Sequence, residues 1–249
     1  MDGKTLIITD IHLQSPIEGY LDAQIDSLLA VYQKENPDRL VIMGDIFLHR
    51  KPMPSVLLGL KRLLDSVGCP VLVLAGNHDM ETKAPDSKTA LSLYESDKVK
   101  VFTNPENYED WTFIPHYEDE KIIKDALTKV PTGNTVFGHF GYDSCLDTLG
   151  FYPSTIGLDE FRNTTYLGHI HAFSQEGPVT ILGTQYTIHF GEAGKTCFYG
   201  LLNDGTFSNH EMTSGIRHLV VDVNNLDHEL DHINDPRYFT LLRIMVDKL

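Results

Sequence analysis

Five short motifs, each directly behind an apolar run, constrain this 249-residue chain more than any other feature. They are Asp10-Ile11-His12, Gly44-Asp45, Gly76-Asn77-His78-Asp79, Gly138-His139 and Gly168-His169-Ile170-His171. The runs before them include Leu6-Ile7-Ile8, Leu40-Val41-Ile42-Met43, Val71-Leu72-Val73-Leu74 and Val136-Phe137, short and continuous as buried strands are. Each motif is therefore expected where a buried strand ends. That is where open α/β sheets place their chemistry.

The pattern between the motifs fits the same class. Leu21 to Tyr32 carries apolar residues at helical spacing and ends at Asn36-Pro37; Ser55 to Val67 repeats the pattern, with Gly68 as a stop. Ser87 to Tyr94 and Lys121 to Val130 read as further helices. From Thr164 onward short strands take over, at Thr164 to Leu167, Val179 to Leu182, Thr196 to Leu202, Thr206 to Met212 and His218 to Val223. A helix-rich half followed by a strand-rich half predicts two sheets packed together with helices outside. Asn224 to Arg237, acidic and broken by Asn234-Asp235-Pro236, reads as a linker or loop before one last strand, Tyr238 to Val246. That strand either pairs with the main body or marks where another domain would begin.

Composition excludes other classes. No apolar run approaches membrane-spanning length and the amino terminus leads straight into a strand, so a cytoplasmic protein is expected. Cys69, Cys145 and Cys197 are odd in number and lack CxxC pairing, which predicts buried thiols rather than disulfides or a zinc ribbon. A formal net charge of -15 opposes simple electrostatic attraction to nucleic acid, yet bound cations would reverse the local field at a carboxylate cluster.

The residue types in the motifs point to metal chemistry. Carboxylates, imidazoles and one amide oxygen suit borderline divalent ions better than calcium or magnesium alone. Two such ions are expected, manganese first, with iron, zinc or magnesium behind it. In Asp10-x-His12 and His169-x-His171, residues two apart on an extended segment point the same way and can converge on one cluster. Asp45 is the candidate bridging ligand, because one carboxylate can serve two cations about 3.5 to 4 Å apart. A pair so held acidifies a water between the ions, giving a bridging hydroxide for in-line attack on phosphorus. His78 is the candidate general acid, since an imidazole titrating near neutrality can protonate a leaving oxygen. His49, His116, His189, His210, His218, His228 and His232 lack this context and read as structural or surface residues.

With these motifs in this order, the chain resembles the calcineurin-like metallophosphoesterases from residue 4 to about residue 202. The resemblance implies a four-layer α/β/β/α sandwich of two mixed sheets flanked by helices. It implies a first metal on Asp10, His12, Asp45 and His171, and a second on Asp45, Asn77, His139 and His169. Gly44-Asp45-Ile46-Phe47, Gly76-Asn77-His78-Asp79 and the stretch from Ile181 to Gly194 are similar to SbcD-type nuclease subunits of DNA repair and phage recombination. That branch implies DNA as substrate, an SbcC-type ATPase as partner and a homodimer. The Ser/Thr phosphatase branch fits less well, because Leu48-His49-Arg50 stands where it has Asp-Arg-Gly.

Two departures matter. His12 is followed by Leu13-Gln14 where the family has Leu-Gly, and Leu48 stands where an acidic residue or histidine often supports the site. A phosphoesterase domain over residues 1–215 is expected, followed by a strand and linker segment over 216–249 that reads as the start of a truncated or minimal form of the capping region of SbcD-type proteins. Arg50 and Lys51, directly after the second motif, are the candidate substrate-binding cations, with Lys61 and Arg62 on the following helix. Three functions follow: a metal-dependent DNA nuclease subunit, a free-standing phosphodiesterase or phosphatase for small substrates such as cyclic nucleotides, and a non-catalytic scaffold. The scaffold would show eroded ligands, and none is eroded.

Overall fold

In the computed structural model, which describes residues 3–147 and 150–246, the chain begins with β1 (Lys4–Ile8), α1 (Tyr20–Glu35), β2 (Arg39–Met43), α2 (Pro54–Ser66), β3 (Val71–Leu74) and β4 (Val99–Phe102). It continues through β5 (Glu106–Tyr108), β6 (Trp111–Ile114), α3 (Glu120–Thr128), β7 (Thr135–His139), the short hairpin β8 (Leu146–Asp147) and β9 (Gly150–Phe151), and β10 (Thr165–Gly168). The remainder is β11 (Ser174–Glu176), β12 (Val179–Ile181), β13 (Phe198–Asn203), β14 (Thr206–Glu211), β15 (Gly215–Asp222), α4 (Leu230–Ile233) and β16 (Tyr238–Met245). Of the ranges expected from sequence, residues 1, 2, 148, 149 and 247–249 lie outside the described residues.

Two six-stranded mixed sheets result, ordered β14-β13-β1-β2-β3-β4 and β11-β12-β10-β7-β6-β5. Strands β1 to β4 are parallel, as are β12, β10, β7 and β6, and antiparallel strands close one end of the first sheet and both ends of the second. Alternation along the strands explains the layering. Leu6 and Ile8, Leu40 and Ile42, and Val71 and Val73 face α1 and α2. Between them Ile7, Val41, Met43, Leu72 and Leu74 turn toward the second sheet, where they meet Phe113, Phe137 and Tyr166. Sheets covered on both faces need apolar residues at every position, so these runs are continuous rather than alternating. On the far side, α3 covers the second sheet through Ile123, Ala126 and Leu127. The architecture is the expected four-layer α/β/β/α sandwich.

Several boundaries differ from the sequence expectation. Helix α2 stops at Ser66, and the Gly68 N–H is taken by the Tyr32 hydroxyl at 2.8 Å instead of closing a helical cap. Between 87 and 94 only a 3-10 turn forms, Ala90–Tyr94, because Thr89 bridges to Met80 and the Lys88 carbonyl accepts the Glu81 N–H at 2.8 Å. The expected loop from Asn224 begins instead inside a 3-10 turn, Val223–Glu229, capped by Asp222, whose carboxylate accepts the Asn224 N–H at 2.8 Å. The last strand, β16, pairs in parallel with β15 and leans on α1, with the Phe239 ring 5.6 Å from that of Tyr20. No helix among the described residues is long and apolar enough to cross a membrane. Cys69, Cys145 and Cys197 are free, the first two buried.

Candidate metal centre

The carboxyl ends of β1, β2, β3, β7 and β10 deliver the five motifs to one place. Asp10, His12, Asp45 and His169 all adopt left-handed backbone conformations, with φ of 48°, 40°, 49° and 80°. Such conformations are uncommon for residues with a side chain and persist only where the surroundings enforce them. Main-chain bonds do so here: Asp10 N–H donates to Gly44 O and His12 N–H to Asp45 O, each at 3.0 Å. Gly44, at φ 87°, could not carry a Cβ, which would strike the His139 ring. A Cβ on Gly168 would press on the Thr9 hydroxyl and lie 2.8 Å from the Met43 carbonyl oxygen.

Ligand atoms gather into two groups, Asp10 with His12 and His171, and Asp45 with His139 and His169. Asp45 reaches both. Its Oδ1 lies 3.3 Å from His139 Nε2 and its Oδ2 lies 3.9 Å from His12 Nε2. Asn77 joins the second group through Oδ1, 2.9 Å from His169 Nδ1. All seven residues singled out as metal ligands are thus brought together.

The donor set fits divalent cations on its own evidence. His139 Nδ1 donates to the Met43 carbonyl at 2.6 Å, which turns Nε2 inward, buried and with no hydrogen-bond partner. His12 Nε2 and His171 Nε2 face each other at 3.3 Å, and His171 Nδ1 is already engaged with Glu192 at 2.6 Å. A buried acceptor without a donor is costly, and a cation is the partner that satisfies several at once. Burial pushes the Asp10 carboxyl up, whereas burial of Asp45 is outweighed by His139 and His12, which hold its carboxyl well below the usual range. Burial would depress His139, but the charges of Asp45 and Asp10 raise it to about 9, so a bound cation would take the place of the proton that this ring otherwise holds beside the two carboxylates. Burial leads in driving His12 and His169 down to about 3, which keeps both imidazoles neutral and able to ligate.

His78 stands at the rim with its side chain 40 % exposed. Its Nδ1 lies 2.6 Å from the Leu48 carbonyl and its Nε2 lies 4.0 Å from Asp45 Oδ2. The main chain at Leu48 therefore orients this ring, whatever its side chain lacks. Asp79 points away from the ring and accepts the N–H groups of Gly76 at 2.9 Å, Ile46 at 2.9 Å and Phe47 at 3.0 Å. Burial, and then the Asp45 charge, raises its carboxyl to about 7.

The basic residues divide. Arg50 donates to the carbonyls of Met80 at 3.0 Å and Thr82 at 3.1 Å, with Glu118 at 3.8 Å, so it braces a loop beside the centre; Lys51 is exposed. Lys61 pairs with Asp65 at 2.6 Å, and Arg62 with Asp22 at 2.7 Å and with Asp26. These last two belong to a solvated helix face.

Three residues at the centre escaped the motif reading. His116 is 13 % exposed and its ring lies 5.2 Å from that of His169; burial lowers it to about 4, and Nδ1 has no hydrogen-bond partner. It follows the apolar strand β6, the same signal that marked the other motifs. Tyr152 places its hydroxyl 3.1 Å from His169 Nε2 and had no such signal. Glu192 is 1 % exposed and engages His171.

A cation-binding cluster of this composition at the strand ends of such a sandwich defines a hydrolase of phosphate esters. Residues 3–173 match the family model for calcineurin-like phosphoesterase, and the chain belongs to that family. No curated protein matches the chain. Among solved structures it is similar to an archaeal phosphodiesterase, at 13 % identity and a TM-score of 0.45, covering 84 % of this chain and 99 % of that one. It is also similar to the phosphoesterase Yfce from E. coli, at 14 % identity and TM-score 0.40, covering 84 % and 100 %. The Pseudomonas putida nuclease MPE is a third, at 16 % identity and TM-score 0.38, covering 68 % and 62 %.

Proposed function

We propose that this chain is a two-metal phosphodiester hydrolase acting on DNA, with His78 as its general acid. The observation that carries the reading is the position of Asp45, one carboxylate oxygen toward each ligand group and the His78 ring at its open side. Asp10, His12, Asp45 and His171 would hold one divalent cation, and Asp45, Asn77, His139 and His169 the other. When bound, these cations supply Lewis acidity, neutralise phosphate charge and make water nucleophilic at neutral pH. The mixed oxygen and nitrogen donors suit borderline divalent ions, of which manganese is the one proposed.

The chain's own residues supply the rest. With Nδ1 held by the Leu48 carbonyl, a protonated His78 carries its transferable proton on Nε2, facing the site from an exposed rim. After that proton passes to the leaving oxygen, the neutral ring keeps its Nδ1–H bond to the carbonyl. DNA is favoured by the likeness of the Ile181 to Gly194 stretch to SbcD-type nucleases, which also implies an SbcC-type ATPase and a second copy of this chain as partners. A small phosphodiester is the second reading. It is favoured by the net charge of -15 and by the engagement of Arg50, Lys61 and Arg62 with other protein groups.

Digestion of end-labelled single-stranded and duplex DNA with added manganese, beside His78→Ala and a cyclic nucleotide, separates the two. DNA cutting that vanishes in the variant is the expected result. Turnover of the small ester alone would overturn the DNA reading.

A further inference from the structure

The two histidines of the His169-Ile170-His171 motif meet different outer partners through different ring nitrogens. His171 turns Nδ1 to Glu192 Oε1 at 2.6 Å, leaving Nε2 directed at the cluster, 3.8 Å from Asp10 Oδ1. His169 does the reverse: Nε2 meets the Tyr152 hydroxyl at 3.1 Å, and Nδ1 faces Asn77 Oδ1 at 2.9 Å. A neutral imidazole has one N–H and one lone pair, so the nitrogen that donates outward decides which nitrogen ligates.

Both partners are built in. Glu192 is buried, its second oxygen accepts the Ile188 N–H at 2.7 Å, and it ends a 3-10 turn, Phe190–Glu192. That turn is clamped by the carboxyl-terminal ribbon: the Phe190 ring packs 4.8 Å from His218 on β15 and lies 4.3 Å from the Arg243 guanidinium on β16. Tyr152 follows β9. Its N–H donates to the Cys145 carbonyl at 2.9 Å, its carbonyl accepts the Ser144 N–H at 3.2 Å, and its ring lies against Gly141, where a Cβ would come within 2.6 Å.

We infer that Glu192 and Tyr152 are positioning residues that orient these two imidazoles from outside, so that His171 offers Nε2 and His169 offers Nδ1 to the cations. The inference rests on the two-metal reading. Outer-shell hydrogen bonds of this kind orient ligating histidines and raise their basicity.

The test combines two readouts, neither of them turnover. Long-range proton–nitrogen spectra of protein labelled with nitrogen-15 in histidine, metal-free and then loaded with diamagnetic zinc, report which ring nitrogen carries hydrogen. The expected pattern in the zinc-loaded protein is hydrogen on Nδ1 of His171 and Nε2 of His169. Manganese titration calorimetry at one fixed pH then compares the wild type with Glu192→Gln and Tyr152→Phe. Each variant should weaken one of the two ions by about tenfold to a hundredfold. Wild-type affinity for both ions in both variants, or the opposite tautomer at either histidine of the loaded protein, would overturn the inference. A wild type that binds no ion would sink the two-metal reading instead, with the metal-free spectrum still reporting whether Glu192 holds hydrogen on Nδ1 of His171.

Discussion

The His78 main-chain N–H donates to Asp45 Oδ1 at 2.8 Å, so the residue at the rim and the carboxylate at the heart of the centre are fixed to one another through backbone. The His78 side chain takes no part in that bond. Its substitution should therefore leave the ligand geometry intact. His78→Asn is expected to cut turnover by about a hundredfold to ten-thousandfold while the protein still binds two ions per chain. Steady-state rates beside ion counts check this, and retained turnover would remove His78 as general acid.

Asp79 ties the second motif to the third by accepting three buried N–H groups. Asp79→Ala strands all three donors at once. Because each unsatisfied buried donor costs about 1–3 kcal/mol, the variant should lose roughly 3 kcal/mol or more in urea melts. A loss below about 1 kcal/mol would mean that water replaces the carboxylate.

Glu35, the last residue of α1, links the helix to β1 through Lys4 at 2.7 Å and to β13 through Tyr199 at 2.7 Å. Burial tends to raise its carboxyl, but hydrogen bonds from Lys4, Tyr199 and Lys34 prevail and hold it at about 2. A carboxyl depressed in the folded state contributes stability that is present above its unfolded value and lost as pH falls through its folded value. Glu35→Gln should therefore cost about 1–2 kcal/mol at neutral pH. The gap should narrow below the ordinary value of 4.5 and close near 2. Urea melts at stepped pH read this, and a gap that stays constant with pH would refute the ionic origin.

Arg50 and Lys51 are neighbours in sequence with different expected effects. Arg50→Ala releases the Met80 and Thr82 carbonyls and should cost about 1 kcal/mol of stability. Lys51→Ala should leave stability unchanged and, on DNA, lower the slope of log affinity against log salt by about 1. An unchanged slope would remove Lys51 from the phosphate track.

The strand ends were legible because β1, β2 and β3 must be apolar on both faces, and the ligands sit where those runs stop. The layering was legible for the same reason. His116 carried that signal too, behind Trp111 to Ile114, but a single histidine after Pro115 has no second ligand beside it to mark it. Tyr152 was illegible: it reaches His169 only because the chain between β7 and β10 folds back over the centre, a tertiary fact with no periodicity. The helix expected from Ser87 shrank to a turn at Ala90, and the helical turns after Asp222 were missed, because bonds from Lys88, Thr89 and the Asp222 carboxylate, not propensity, set their limits.

Ion counting on Asp45→Asn tests the shared carboxylate most directly. Wild-type protein, dialysed against manganese and analysed for metal, should hold two ions per chain, and the variant should lose both, since each ligand group borrows one Asp45 oxygen. A variant that keeps both ions at wild-type affinity, or drops only one, would contradict a centre organised around Asp45.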